Sequence, residues 1–152
     1  MPSARGRYLG LDVGEKRIGV ALSDETAVLA SPLTTLTRTG ARKDAAAVAE
    51  LAGHHEVAAV VVGLPLNMDG TRGPQAEKVL SFVEALRRRL GVPVLPRDER
   101  LTTVEADERL REAGLDWRER KRVIDQTAAV VILQEYLDQR AALVGAAGGG
   151  QG

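Results

Sequence analysis

The stretch "VAAVVVGLP", Val57 to Pro65, constrains this chain more than any other. It is apolar without alternation, rich in valine, short, and stopped by Gly-Leu-Pro. Such a run reads as a strand buried on both faces, as strands in parallel sheets are. Cover for those faces is found on either side. Ala41 to His54 reads as an alanine-rich helix. Pro74 suits the first turn of a helix running to about Leu90, with Gly91 just past its end. "VPVLP", Val92 to Pro96, forms another strand. Thr102 and Glu105 have capping-box spacing for a helix to about Ala113, and a last helix starts near Asp116 or Trp117 and runs to about Ala142.

The chain opens differently. Tyr8 to Val13 and Arg17 to Ser23 alternate apolar and small or polar residues on either side of "GEK", a plausible hairpin turn. A third short strand is expected in Leu33 to Arg38. An antiparallel start followed by alternating helices and strands implies an α/β fold: a five-stranded mixed sheet flanked by helices, the strand order a ribonuclease H-like fold uses. At 152 residues one domain over 1–144 is expected, with a disordered glycine-rich tail over 145–152.

Composition removes several function classes. The chain has no cysteine, which excludes disulfides, thiolate metal sites and a thiol nucleophile. No apolar run approaches the ~20 residues that span a bilayer, and "MPSARGR" lacks the apolar core of a signal peptide. A cytoplasmic protein with no membrane partner is expected. Net charge is zero, with 21 basic and 21 acidic residues, so charge alone gives no case for nucleic acid. The two histidines, His54 and His55, are adjacent at a helix end and suit a surface role better than zinc.

The acids carry the chemistry. Asp12 lies inside an apolar strand, where aspartate is disfavoured and a buried carboxylate needs a compensating partner. It could also cap the "DVGEK" turn. Asp98, Glu99 and Arg100 follow the fifth strand, at the strand end where α/β proteins place function. Asp125 shares a helix face with Ala128, Ala129, Ile132, Leu133 and Tyr136, a core-facing stripe. A buried salt bridge with an arginine is the alternative for Asp125. Acids converging in a low-dielectric pocket repel one another, and divalent cations relieve that repulsion. Mg²⁺ and Mn²⁺ prefer oxygen ligands, and a pair of them can activate water and stabilise the leaving oxygen of a phosphodiester.

Four blocks, "LGLDVGEKRIGVALSD", "VVGLPLNMDGTRGPQA", "DERLTTVEA" and "IDQTAAVVILQEYL", resemble the YqgF family, also called RuvX, in family order from Leu9 to Leu137. The resemblance implies a ribonuclease H-like fold and Mg²⁺- or Mn²⁺-dependent phosphodiester cleavage. It carries the family's catalytic and metal-holding acids onto Asp12, Glu99 and Asp125, with Asp98 left open. It implies 5′-end processing of the small-subunit ribosomal RNA precursor. Cleavage of branched DNA as a Holliday junction resolvase is the alternative, and a non-enzymatic nucleic-acid-binding or transcription-associated factor is a further one. A homodimer stays open as its assembly. A phosphotransferase related to the actin-like ATPases is a rival for the first hairpin, but no second DxG hairpin is present.

Four further residues are expected to contact substrate. Asn67 and Arg72 lie in the loop after the buried strand, where binding residues are common but a mere connector would serve equally; the resemblance implies that the two contact substrate. Arg100 follows Glu99, and Lys121 stands one helical turn before Asp125. Both cations could instead form salt bridges that steady the acids.

Overall fold

The computed structural model describes residues 6–99 and the helix over 117–149, with side chains described over 6–99 and 127–143. The expected helix from Thr102 to Ala113, Arg100, and the side chains of Lys121 and Asp125 lie outside the described residues.

Five strands form one mixed sheet: β1 (Tyr8–Val13), β2 (Arg17–Ser23), β3 (Ala30–Thr37), β4 (Ala59–Leu64) and β5 (Val94–Asp98). Their order across the sheet is β3-β2-β1-β4-β5. β1, β2 and β3 pair antiparallel, while β4 pairs parallel with both β1 and β5. Helices α1 (Ala41–His54), α2 (Pro74–Arg89) and α3 (Trp117–Gly149) complete the described elements.

The expected valine strand holds the centre of the parallel half. Its side chains serve two cores because a strand alternates faces. Val60 and Val62 join Leu9, Leu11 and Val13 of β1 under α1 and α2, where Val48, Val79, Phe82 and Leu86 close the layer. Ala59 and Val61 join Tyr8 on the other face under α3, against Ala129, Ile132, Leu133 and Leu137. Both faces are thus covered, as the unbroken apolar run requires.

Three boundaries differ from the sequence expectation. β3 begins at Ala30 rather than Leu33, because Ser23 pairs back to Ala30 across a register shift at Val20/Ala21. β5 ends at Asp98 rather than Pro96, because Gly63 and Leu64 pair with Arg97 and Asp98. α3 runs to Gly149 rather than ending near Ala142. Ala146 and Ala147 extend a helix already nucleated, and propagation needs only one further residue fixed per bond.

Gly10 sets how close α3 lies to the sheet. A Cβ there would stand 2.7 Å from Leu133 Cβ and 3.0 Å from the Ala129 carbonyl oxygen. Neither atom can swing aside, so Gly10→Ala must push the helix outward. Overpacking of this kind costs about 1–3 kcal/mol. In a chain of this size, that lowers the melting temperature by roughly 5 °C or more. An unchanged melting curve would show that α3 is not seated as described.

Candidate active site

The α3 face of the sheet changes character toward the C-terminal ends of the parallel strands. Along β1 that face presents Tyr8, Gly10 and then Asp12; along β4 it presents Ala59, Val61 and then Gly63. β1 pairs with β4 up to Leu11 opposite Val62, and Gly63 pairs with Arg97. Asp12, Gly63 and Arg97 therefore lie side by side across three strands. Glu99 comes one residue after β5, its backbone N–H donating to the Leu64 carbonyl at 3.2 Å. This is the end of an open α/β sheet where ligands bind. Asp98, expected to follow the strand, is its last residue and is exposed; alternation turns it from the face that holds Glu99.

Glu99 is the unusual group. Its Oε2 is buried with no hydrogen-bond partner, and Ile132 of α3 walls the same space. Burial, and after it the negative charges of Asp12, Glu135 and Asp98, together push its carboxyl up to about 8. A buried carboxylate oxygen left unsatisfied is costly, and acids crowded together cannot all ionise without a countercharge. A bound cation would supply that countercharge and accept the orphaned oxygen. Among the described residues no group of three His, Cys, Asp or Glu could hold a metal ion.

Glu135, absent from the expected site residues, reaches Glu99 with its charge from α3. It is exposed and lies three residues after the buried Ile132, at the margin of the apolar stripe. Its signal was its place at the edge of that stripe, within reach of the sheet end while still open to solvent. The stripe itself is as expected: Ala128, Ala129, Ile132 and Leu133 are all buried. Arg97 is also new. Its guanidinium lies 5.5 Å from the centre of the Tyr136 ring, a cation–π contact beside the acids.

The other expected residues fall into place differently. Asn67 and Arg72 lie in the loop between β4 and α2, which leaves from the same end of the sheet. The Asn67 side-chain amide donates to Thr71 Oγ1 at 3.0 Å, and its backbone N–H donates to the Thr71 carbonyl at 2.9 Å. Asn67 thus shapes the loop whether or not it also touches a ligand. Arg72 is exposed. His54 and His55 close α1 shortly before β4 begins, at the opposite end of the sheet from the acids. A cleft of about 630 Å³ opens on the far face, between the β1–β2 turn and the starts of α1 and α2. Its buried acid, Asp44, is bound by Arg38 at 2.8 Å, which leaves no comparable unpartnered carboxylate there.

A family model described as "RuvX: Holliday junction resolvase" matches residues 6–139. This chain belongs to the RuvX family. A relative from Thermoanaerobacter pseudethanolicus is 49% identical over 135 residues, covering 88% of this chain and 97% of the relative. One from Anaeromyxobacter dehalogenans (strain 2CP-C) is 50% identical over 135 residues, covering 89% and 98%. Each bears the name "Putative pre-16S rRNA nuclease". Among solved structures, Thermus thermophilus RuvC in complex with a Holliday junction substrate aligns with a TM-score of 0.57 at 18% identity, covering 90% of this chain and 96% of that one. The fowlpox virus resolvase in its junction complex aligns at 0.53 and 12% identity, covering 88% and 97%. These likenesses support the ribonuclease H-like α/β fold expected from the RuvX blocks. Among the described residues no helix is long and apolar enough to cross a membrane.

Proposed function

We propose that this RuvX chain is a metal-dependent nuclease of structured nucleic acid, processing the 5′ end of the small-subunit ribosomal RNA precursor in the cytoplasm. The observation that carries the metal site is the buried, partnerless Glu99 Oε2 beside Asp12. The RNA substrate is suggested by the names of relatives about half identical to this chain over nearly their whole length.

Asp12, Glu99 and Asp125 would hold Mg²⁺ or Mn²⁺, a choice that follows from an all-oxygen donor set. Helix pitch supports Asp125 as the third member. Tyr8 meets Tyr136 and Arg140 of α3, and Gly10 faces Leu133 and Ala129. Two strand residues advance about 7 Å, as do four or five helical residues. Two more strand residues reach Asp12, and the matching step back along α3 reaches the turn of Asp125. The helix thus runs antiparallel to β1, and backbone position 125 falls over the Asp12 end of the sheet.

When bound, the cation supplies Lewis acidity and positive charge at the phosphate being cut. The chain's part is to hold the acids together and to seat the strand. Arg72, Arg100 and Lys121 would contact backbone phosphates, with Asn67 keeping the Arg72 loop in shape. Arg72→Ala and Arg100→Ala should each weaken binding with little change in melting temperature. Each should also make the salt dependence shallower by about one counterion-release unit. A lower melting temperature with an unaltered salt slope would assign that arginine to a structural salt bridge.

Junction cleavage is the second reading, favoured by the description of the matching family model. A four-way junction presents two symmetry-related strands and calls for a homodimer, whereas an RNA 5′ end does not. The test is cleavage of a 5′-extended ribosomal RNA fragment and of a four-way DNA junction by the same preparation, with Mg²⁺ and then Mn²⁺. Preferential cutting of the RNA supports the proposal. Cutting of the junction alone, by a dimer, would replace it with the second reading.

A further inference from the structure

We infer that Gly63 is a positioning residue: the space left by its missing side chain is the slot that holds the Glu99 carboxylate. The inference rests on the metal-site reading above and extends it to a residue with no ligand atom of its own.

Glycine weakens a strand, having no side chain to pack and more freedom to lose. Yet Gly63 follows Val60, Val61 and Val62 in the central parallel strand, where another β-branched residue would suit the backbone better. Its conformation does not explain it, since the glycines with positive φ are Gly6, Gly40 and Gly70 among the described residues. Space does. A Cβ at 63 would stand 2.5 Å from Glu99 Oε2, 2.6 Å from Glu99 Cδ and 2.5 Å from Ile132 Cδ1. The carboxylate and the Ile132 side chain therefore both lie against the bare backbone of β4. Gly10 differs although it faces the same helix: what a Cβ there would meet is α3 itself.

The slot accounts for how Glu99 stays buried with an unpartnered oxygen. Glu99 lies just past β5, and β4 separates β5 from β1 in the sheet. Across bare Gly63 the carboxylate can lean over β4 toward the strand of Asp12. Any side chain at 63 would block that path and turn Glu99 outward to solvent, separating the acids that would share a cation.

The test measures Mn²⁺ binding to metal-free protein by calorimetry, alongside melting temperature, for Gly63→Ala, Glu99→Gln, the pair together, Ile132→Val, and Gly63→Ala/Ile132→Val. Gly63→Ala is expected to weaken Mn²⁺ binding tenfold or more, on the order of a lost outer-shell support or worse. In the Glu99→Gln background the same change should alter binding less than about twofold, because its effect runs through that carboxylate. Ile132→Val removes the Cδ1 clash only. The double variant with Gly63→Ala should regain melting temperature and still bind Mn²⁺ weakly. If Gly63→Ala alone fails to fold, the double variant carries the test. Wild-type Mn²⁺ affinity in either variant that folds, or an equal loss in the Glu99→Gln background, would overturn the role of Gly63. Wild-type affinity in Glu99→Gln itself would instead bring down the metal-site reading, and the two failures are thereby told apart.

Discussion

Glu99→Gln is expected to lower nucleic-acid cleavage by at least about 100-fold, since even outer-shell partners of a metal site are worth 10–100-fold. The same change should make the metal-free fold more stable at alkaline pH. Both effects come from one carboxylate. In the folded chain it titrates near 8, against an ordinary value of 4.5, because it is buried and faces Asp12, Glu135 and Asp98. Below about pH 4.5 both folded and unfolded states hold the proton, and the group has no effect on stability. From there to about 8 the unfolded chain gives up the proton while the folded chain keeps it. The unfolded state then binds fewer protons, so stability falls as pH rises through this window. The loss is on the order of a few kcal/mol when complete. Glutamine never ionises, so the variant should lack this decline. Melting temperature measured in EDTA from pH 5 to 9 checks it: the wild type should fall relative to Glu99→Gln. Parallel curves would mean that Glu99 is not buried as described. Added Mn²⁺ should reverse the wild-type decline most strongly at the alkaline end, where the cation replaces the proton.

Asp44→Ala should give the largest loss of stability away from the acids, and without any role in cleavage. Asp44 is 3% exposed and accepts from Arg38 Nε at 2.8 Å, from the Thr39 backbone N–H at 3.0 Å and from its hydroxyl at 3.1 Å, and from the Gly40 N–H at 3.3 Å. Arg38 in turn donates to the Gly14 carbonyl at 2.9 Å and lies over the Phe82 ring. One ion pair therefore ties the β1–β2 turn to α1 and α2. Removing the carboxylate leaves a largely buried guanidinium without its anion, which costs about 3–5 kcal/mol. That corresponds to roughly 10 °C in melting temperature for a chain of this size. Burial pushes the Asp44 carboxyl up, but the bonds from Arg38, Thr39 and Gly40 outweigh it and hold the carboxyl below its ordinary value. Its contribution is therefore present at neutral pH and lost as pH falls through the acid range. Thermal melts of the wild type and Asp44→Ala at pH 7 and pH 3 check both points: the gap should be wide at 7 and narrow at 3.

Much of this was legible in the sequence because its signals are local. The valine run forced a doubly covered strand, and α1 begins and ends where its alanine-rich pattern does. The stripe from Ala128 to Leu133 projected onto one helix face and is buried there. Asp12 stood out because an acid in an apolar strand is costly. Non-local facts were not legible. That Glu99 lies against Gly63 depends on β4 and β5 being neighbours in register, and a glycine ending a strand reads from sequence as a mere stop. The reach of Glu135 to Glu99 needs the crossing of α3 over the sheet. Asp44 lies in the first turn of α1, and its pairing with Arg38 across the strand-to-helix turn carries no periodic signal.

The most direct test of the central claim is cleavage of a 5′-extended small-subunit ribosomal RNA fragment in Mg²⁺ by the wild type, Asp12→Asn and Asp125→Asn, with melting temperature recorded for each. The wild type should cut, and stop on chelation. Both amide variants should fold as well as the wild type and cut at least about 100-fold more slowly. Near-wild-type rates from the two folded variants would contradict a metal site built on these acids.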